Sequence, residues 1–254
     1  MKIKAIALNT FKEAIRDRIL YVLLFFATVC IIFSRILALL TVGDRVKIIE
    51  DVGLASLSLF GALMAIFMGT GLVYKEIDKK TIYTILAKPI HRFQFLLGKY
   101  FGLVLTLFVM LLSMSVIFLA VIFLHTFTVE WEMLVAILFI FLEVCLITSV
   151  ALLFSCFSTP ILSSLLSLSF YLIGHLSWGL KTLIDKIKPG FGKTLTQIIY
   201  TLAPDLENFN FKTEIVHDLP IPPQIFLFSS LYWMAYTLAI LILAIIVFKK
   251  RDFI

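Results

Sequence analysis

The residues able to do chemistry are few and stand apart from one another. Glu143, inside LVAILFIFLEVCLITSVALLF, is the only carboxylate deep in an apolar run, about 17 Å from the Trp131 end of its helix by the rise per residue. An ionisable group at that depth normally faces a cavity or a partner, because hydrocarbon does not solvate it. Two roles fit: a cavity-lining or proton-linked residue, or a protonated or hydrogen-bonded group at a helix interface near Thr148 and Ser149. His175 is expected at a different depth, so no Glu143–His175 pair is expected. His91, His125, His175 and Glu130 do not share a metal-ligand spacing, and there is no His-Glu-x-x-His run and no nucleophile elbow. No metal site, cofactor site or catalytic residue is therefore expected. Gly192-Lys193-Thr194 resembles the end of a phosphate-binding loop, but Ile187 stands where that loop requires its first glycine. Cys30, Cys145 and Cys156 lie in or beside apolar runs, are odd in number, and read as small buried hydrophobes.

The elements that must position these residues are membrane helices. Of 254 residues 61% are hydrophobic and 15% charged, with mean hydropathy +1.08, whereas a soluble domain carries about a quarter charged residues. Apolar runs of such length satisfy their backbone in lipid only as helices, and short alternating barrel strands are absent. The fold class is an all-α membrane bundle in a single domain over 1–254. Six spans are expected: Ile19 to Leu40, Val52 to Tyr74, Phe95 to Leu124, Trp131 to Cys156, Ile161 to Leu180 and Ile225 to Phe248. Arg35, near the far end of the first span, can snorkel. That first run is too long for a signal-peptide core and no small-x-small cleavage site follows it, so it is expected to stay as an anchor.

Met1 to Arg18 gathers Ile3, Ala7, Phe11, Ala14 and Ile15 on one helical face, opposite Lys2, Asn9, Lys12, Glu13 and Arg16. It suits a helix lying in the membrane interface, or the frayed start of the first span. With the N-terminus inside, 14 of the 22 Lys and Arg residues fall on the inner side, and five of the others are spread along the long Lys181 to Gln224 connection. The bias gives an N-in, C-in arrangement, and places the basic excess at helix ends rather than on a nucleic-acid surface. Gly98-x-x-x-Gly102, and Gly69 with Gly71, read as positions of close helix approach.

The richest polar stretch, Lys75 to Lys99, holds six of the Lys and Arg residues between two spans. Thr81 to Ala87 reads as a short helix with Ile82, Ile85 and Leu86 on one face, stopped by Pro89. It fits equally a handle for another protein and a solvated basic loop on anionic lipid. At the other inner turn, Phe157 to Pro160, Thr159 can cap the fifth span and Pro160 fits its first turn. Lys181 to Gln224, 44 residues with a helical pattern over Thr194 to Leu202, reads as a small outer helical cap.

The order Lys75-Glu76, Lys80-Thr81, Leu86-Ala87-Lys88-Pro89-Ile90-His91-Arg92, Gly98-Lys99 resembles the first cytoplasmic loop of type-2 ABC transporter permeases. The branch it resembles most includes the nitrous-oxide-reductase maturation permease; Lys80 stands where many members have glycine. Leu202-Ala203-Pro204-Asp205-Leu206, Asn208-Phe209-Asn210 and the closing Phe248 to Phe253 extend the likeness along the chain. The resemblance implies a coupling helix that seats in a cleft of an ATP-binding subunit. Its contact residues would be Glu76, Lys80, Thr81, Ile82, Tyr83, Ile85, Leu86, Lys88, Pro89 and Arg92, with Ser158, Thr159 and Pro160 as a second cytoplasmic contact. It also implies a dimer of permeases, most simply a homodimer, in a bacterial inner membrane. ATP and Mg would be bound by a separate ATPase dimer, the direction would be export, and the outer cap could rest on an extracytoplasmic partner. Glu143 is then a pathway or interface residue. The competing reading is an ion-coupled carrier or intramembrane enzyme that works through Glu143 without an ATPase.

Overall fold

The computed structural model describes residues 2–40, 44–78, 91–128, 130–177, 179, 184, 192–194, 196–197, 204–217 and 219–250, without the side chains of 72–78. Helix is the only regular structure among them. An amphipathic helix α1 (Lys2–Ala14) precedes α2 (Arg18–Leu40), which starts where Asp17 Oδ1 accepts the Ile19 amide at 3.1 Å. Then follow α3 (Arg45–Asp78), α4 (Arg92–Thr126), α5 (Trp131–Ser155) and α6 (Pro160–His175). A 3-10 turn (Leu206–Phe209) and the short α7 (Lys212–Val216) lead to the last helix, α8 (Pro223–Lys250).

Five of these helices, α2, α3, α4, α5 and α8, are long and apolar enough to cross a membrane. The expected fifth span is interrupted within its length: α6 has 16 residues and ends at His175, with a turn at Leu176 beyond which Ser177 and Gly179 are again helical. At the helical rise α6 reaches about 24 Å, short of a hydrocarbon core of about 30 Å. Gly174 admits a close neighbour near that end. A Cβ there would lie 2.6 Å from Leu206 Cγ and 2.8 Å from the Pro204 carbonyl oxygen, so the chain segment before α7 packs straight onto the end of α6.

α3 and α5 are the most enclosed helices and form the middle of the bundle, with α2, α4 and α6 packed on α3 and α8 on α5. Contact between the two central helices is close at Gly69, where a Cβ would come within 2.8 Å of Ala151 Cβ. Gly71, expected to act with it, has nothing within 4 Å of its Cβ position. Gly53 lies directly beneath the Phe118 ring of α4. The apolar faces of α2 and α8, among them Phe25, Leu39, Phe228 and Ile242, stay exposed and suit lipid.

Candidate functional site

Two places gather polar groups against this apolar background. The first is the end of the bundle where α3 runs into α4. Lys80, Thr81, Ile82, Tyr83, Ile85, Leu86, Lys88 and Pro89 lie outside the described residues; Glu76 belongs to the last turns of α3. Arg92 opens α4, and its guanidinium donates to the carbonyls of Lys249 (2.8 Å) and Phe248 (3.3 Å) at the end of α8. The last carbonyls of a helix accept bonds from outside it, and a cation suits the negative end of the helix dipole. Phe95 stacks on Phe248 at 5.8 Å just above.

On the other side of α4 sits α1. The two glycines of Gly98-x-x-x-Gly102 form its seat: a Cβ at 98 would lie 2.7 Å from Ile6 Cβ, and one at 102 would lie 2.6 Å from the Ala7 carbonyl oxygen. Thr10 and Ala14 are buried in that contact. Lys99, 1% exposed, is held at 3.5 Å from Glu13 across the same joint, with its ammonium 5.9 Å from the centre of the Phe95 ring. The start of α4 is therefore clamped between α1 and α8, and whatever follows α3 returns into a braced base.

The turn between α5 and α6 shows a different cap from the expected one. Thr159 occupies the N-cap position with no side-chain hydrogen bond to the helix; its carbonyl accepts the Ser163 amide at 2.8 Å. Ser158 supplies the side-chain contact instead, its hydroxyl 2.8 Å from that of Ser163. Pro160 takes the first helical position as expected.

The second polar place corrects the reading of Glu143. His175 Nε2 lies 2.8 Å from Glu143 Oε1, and Ser58 Oγ of α3 donates to Glu143 Oε2 at 3.3 Å. Thr148 and Ser149, the neighbours expected from sequence, bond instead to carbonyls of their own helix. The depths agree because α5 and α6 share one tight turn. Glu143 stands 12 residues before Ser155 and His175 stands 15 residues after Pro160, a height difference of about 4–5 Å that the side chains bridge. Measuring each residue from opposite ends of its own span hides this; measuring both from their common turn reveals it.

The chain of polar groups continues outward from the bundle. His175 Nδ1 lies 3.7 Å from Glu207 Oε2 in the 3-10 turn, and Glu207 Oε1 accepts from Asn210 Nδ2 at 2.8 Å. The turn is pinned by Asp205, which accepts from Ser177 Oγ (2.6 Å) and from the Glu207 amide (3.3 Å) and gives its own amide to the Tyr232 hydroxyl (2.8 Å). The His175 imidazole beside Glu207 holds that carboxyl below the usual carboxylate range. Burial pushes the Lys212 ammonium below the usual lysine range, against the pull of Glu143, Glu207 and Asp51. Sequence spacing offers no sign of Ser58, Glu207 or Lys212 at this site, since each comes from a different element. Elsewhere His125 accepts from Arg35 Nε at 3.1 Å, an exposed contact between α4 and α2.

Residues 4–253 match the family model described as ABC-2 family transporter protein. The chain belongs to that family. It is a multi-pass transmembrane permease of the ABC transporter class, a transport subunit rather than itself an enzyme, from a family whose members usually pair with an ATP-binding subunit. No curated protein matches it. In this ABC-2 permease the two polar places stand apart: the braced base at Arg92, where α4 begins, and the Glu143–His175–Glu207 chain, which starts in the middle of α5.

Proposed function

We infer that this permease is half of an ATP-driven exporter in a bacterial inner membrane. Two copies, most simply identical, pair with a dimer of a separate subunit that binds ATP and Mg. The observation that carries this reading is the family match across nearly the whole chain. The clamped start of α4 supports the mechanical part: force applied to the 80–89 segment enters a joint tied to α1 and α8 and moves those helices rather than dissipating. In the same reading α6 counts as a short sixth crossing, both chain ends face the cytoplasm, and the loop from Glu76 to Arg92 seats on the ATPase. Ser158, Thr159 and Pro160 form the smaller second contact on that face. The order of residues in the loop supports the branch that includes the nitrous-oxide-reductase maturation permease.

The test is a variant carrying Lys80→Glu, Ile82→Asp and Lys88→Glu, purified beside wild type with its ATP-binding subunit. Loss of the ATPase from a permease that keeps its wild-type elution volume and helical content supports coupling through this loop. Undiminished retention of the ATPase overturns it.

A further inference from the structure

Glu143, His175 and Glu207 lie in a row that climbs out of the bundle: their side chains are 1%, 21% and 45% exposed. The inner carboxylate touches one ring nitrogen at 2.8 Å, and the outer one faces the other nitrogen at 3.7 Å. Glu207 also lines a surface cleft of ≈ 190 Å³ with Asn208, Asn210 and Phe211. An imidazole between two carboxylates is the one side chain that can accept a proton on one nitrogen while releasing another from the opposite nitrogen. A strut that merely tied the cap to the bundle would need neither that group nor that gradient of exposure.

We propose that these three residues form a proton path, through which the buried Glu143 carboxylate exchanges a proton with the water on the cap side of the membrane. Hydronium gives its proton to the Glu207 carboxylate and leaves as water. Once Glu207 and His175 close from 3.7 Å to hydrogen-bonding distance, Glu207 passes it to Nδ1 of the ring. That ring, starting as the imidazolium of the ion pair, has first released its Nδ1 proton by the same route and keeps Nε2–H on ionised Glu143. The resulting imidazolium releases the Nε2 proton to Glu143 Oε1. Counted from the neutral ring, one proton has entered, Glu143 is a neutral acid, and His175 is neutral with its proton on Nδ1; return passage restores the start. Around the ring stand Glu143 from α5, Tyr171 from α6, Glu207 from the 3-10 turn and Lys212 from α7, while Ser58 of α3 bonds Glu143 and Asp51 of α3 acts on Lys212. Neutralising Glu143 removes the charge that binds α5 to α6, which links proton arrival to the junction of bundle and cap. The path stands independently of coupling to an ATPase.

The full chain in lipid nanodiscs, mixed rapidly to lower pH, provides the test through the infrared carboxylic-acid band. Wild type should gain a band on acidification that is missing in Glu143→Gln. His175→Gln and Glu207→Gln should each slow its appearance by at least about tenfold, as loss of a proton-transfer group does, and Glu207→Asp should restore most of the rate. Glu207 is half-exposed, so its variants fold and carry the test if His175→Gln does not. A wild type without a Glu143-dependent band overturns the proposal, and so does an undiminished rate in Glu207→Gln or in a folded His175→Gln.

Discussion

Replacing His175 with leucine is the perturbation that weighs the Glu143 contact most directly. Glu143 is 1% exposed, and the substitution leaves Ser58 Oγ, at 3.3 Å, as its hydrogen-bond donor among the described residues. Removing one member of a buried ion pair costs about 3–5 kcal/mol, because the survivor keeps its desolvation without its counter-charge. If the carboxyl takes up a proton instead, the cost falls towards that of an unsatisfied polar group, about 1–3 kcal/mol. Two apolar groups of similar volume in place of both partners are often neutral. Glu143→Leu combined with His175→Leu should therefore recover about 2 kcal/mol or more of the loss in His175→Leu alone. Glu143→Leu by itself should cost less than His175→Leu, since the half-buried imidazole can lose its proton and still faces Glu207. The assay is reversible unfolding of the four proteins in mixed micelles, with a double-mutant cycle computed at one pH. Single costs that simply add, within about 0.5 kcal/mol, would refute a direct Glu143–His175 contact.

Two further outcomes follow from the geometry. Gly102→Val should lift α1 off α4, because the new Cβ would meet the Ala7 carbonyl oxygen at 2.6 Å and backbone cannot yield as a side-chain end can; overpacking of this kind costs about 1–3 kcal/mol. Limited proteolysis near Asp17 should report it, with Gly71→Ala, where nothing lies within 4 Å, as the silent control. The cap should also loosen in acid. Glu207 has its carboxyl lowered by His175, so its contribution is complete above the unfolded carboxylate value of about 4.3 and is lost as pH falls through the lower folded value. Amide exchange over 206–216 measured from neutral to acid should accelerate on that limb in wild type and show a flatter profile in Glu207→Gln.

Much of this protein can be read in one dimension. Long apolar runs broken by charged turns dictate membrane helices, because a backbone without water must bond to itself. Gly98-x-x-x-Gly102 announced a close approach, although not that α1 would be the element seated there, since α1 carries a polar Thr10 at the centre of its contact face. Pro160 marked the start of α6, while the choice between Ser158 and Thr159 for the neighbouring contact depended on side-chain direction at a turn, which composition does not encode. Arg92 carried its charge visibly, but its partners are backbone carbonyls some 156 residues away, and a carbonyl has no sequence signature.

The family, the helical class and the expensive carboxylate at position 143 were thus written in residue order alone, for each follows from local hydropathy or local spacing. Tertiary structure alone decided what that carboxylate meets. Ser58, His175, Glu207 and Lys212 come from four separate elements, and their convergence depends on the end of α6 at His175 and on the chain packing against Gly174. A pattern along the chain records the cost of burying a charge; only the packing of helices says which distant group offsets it.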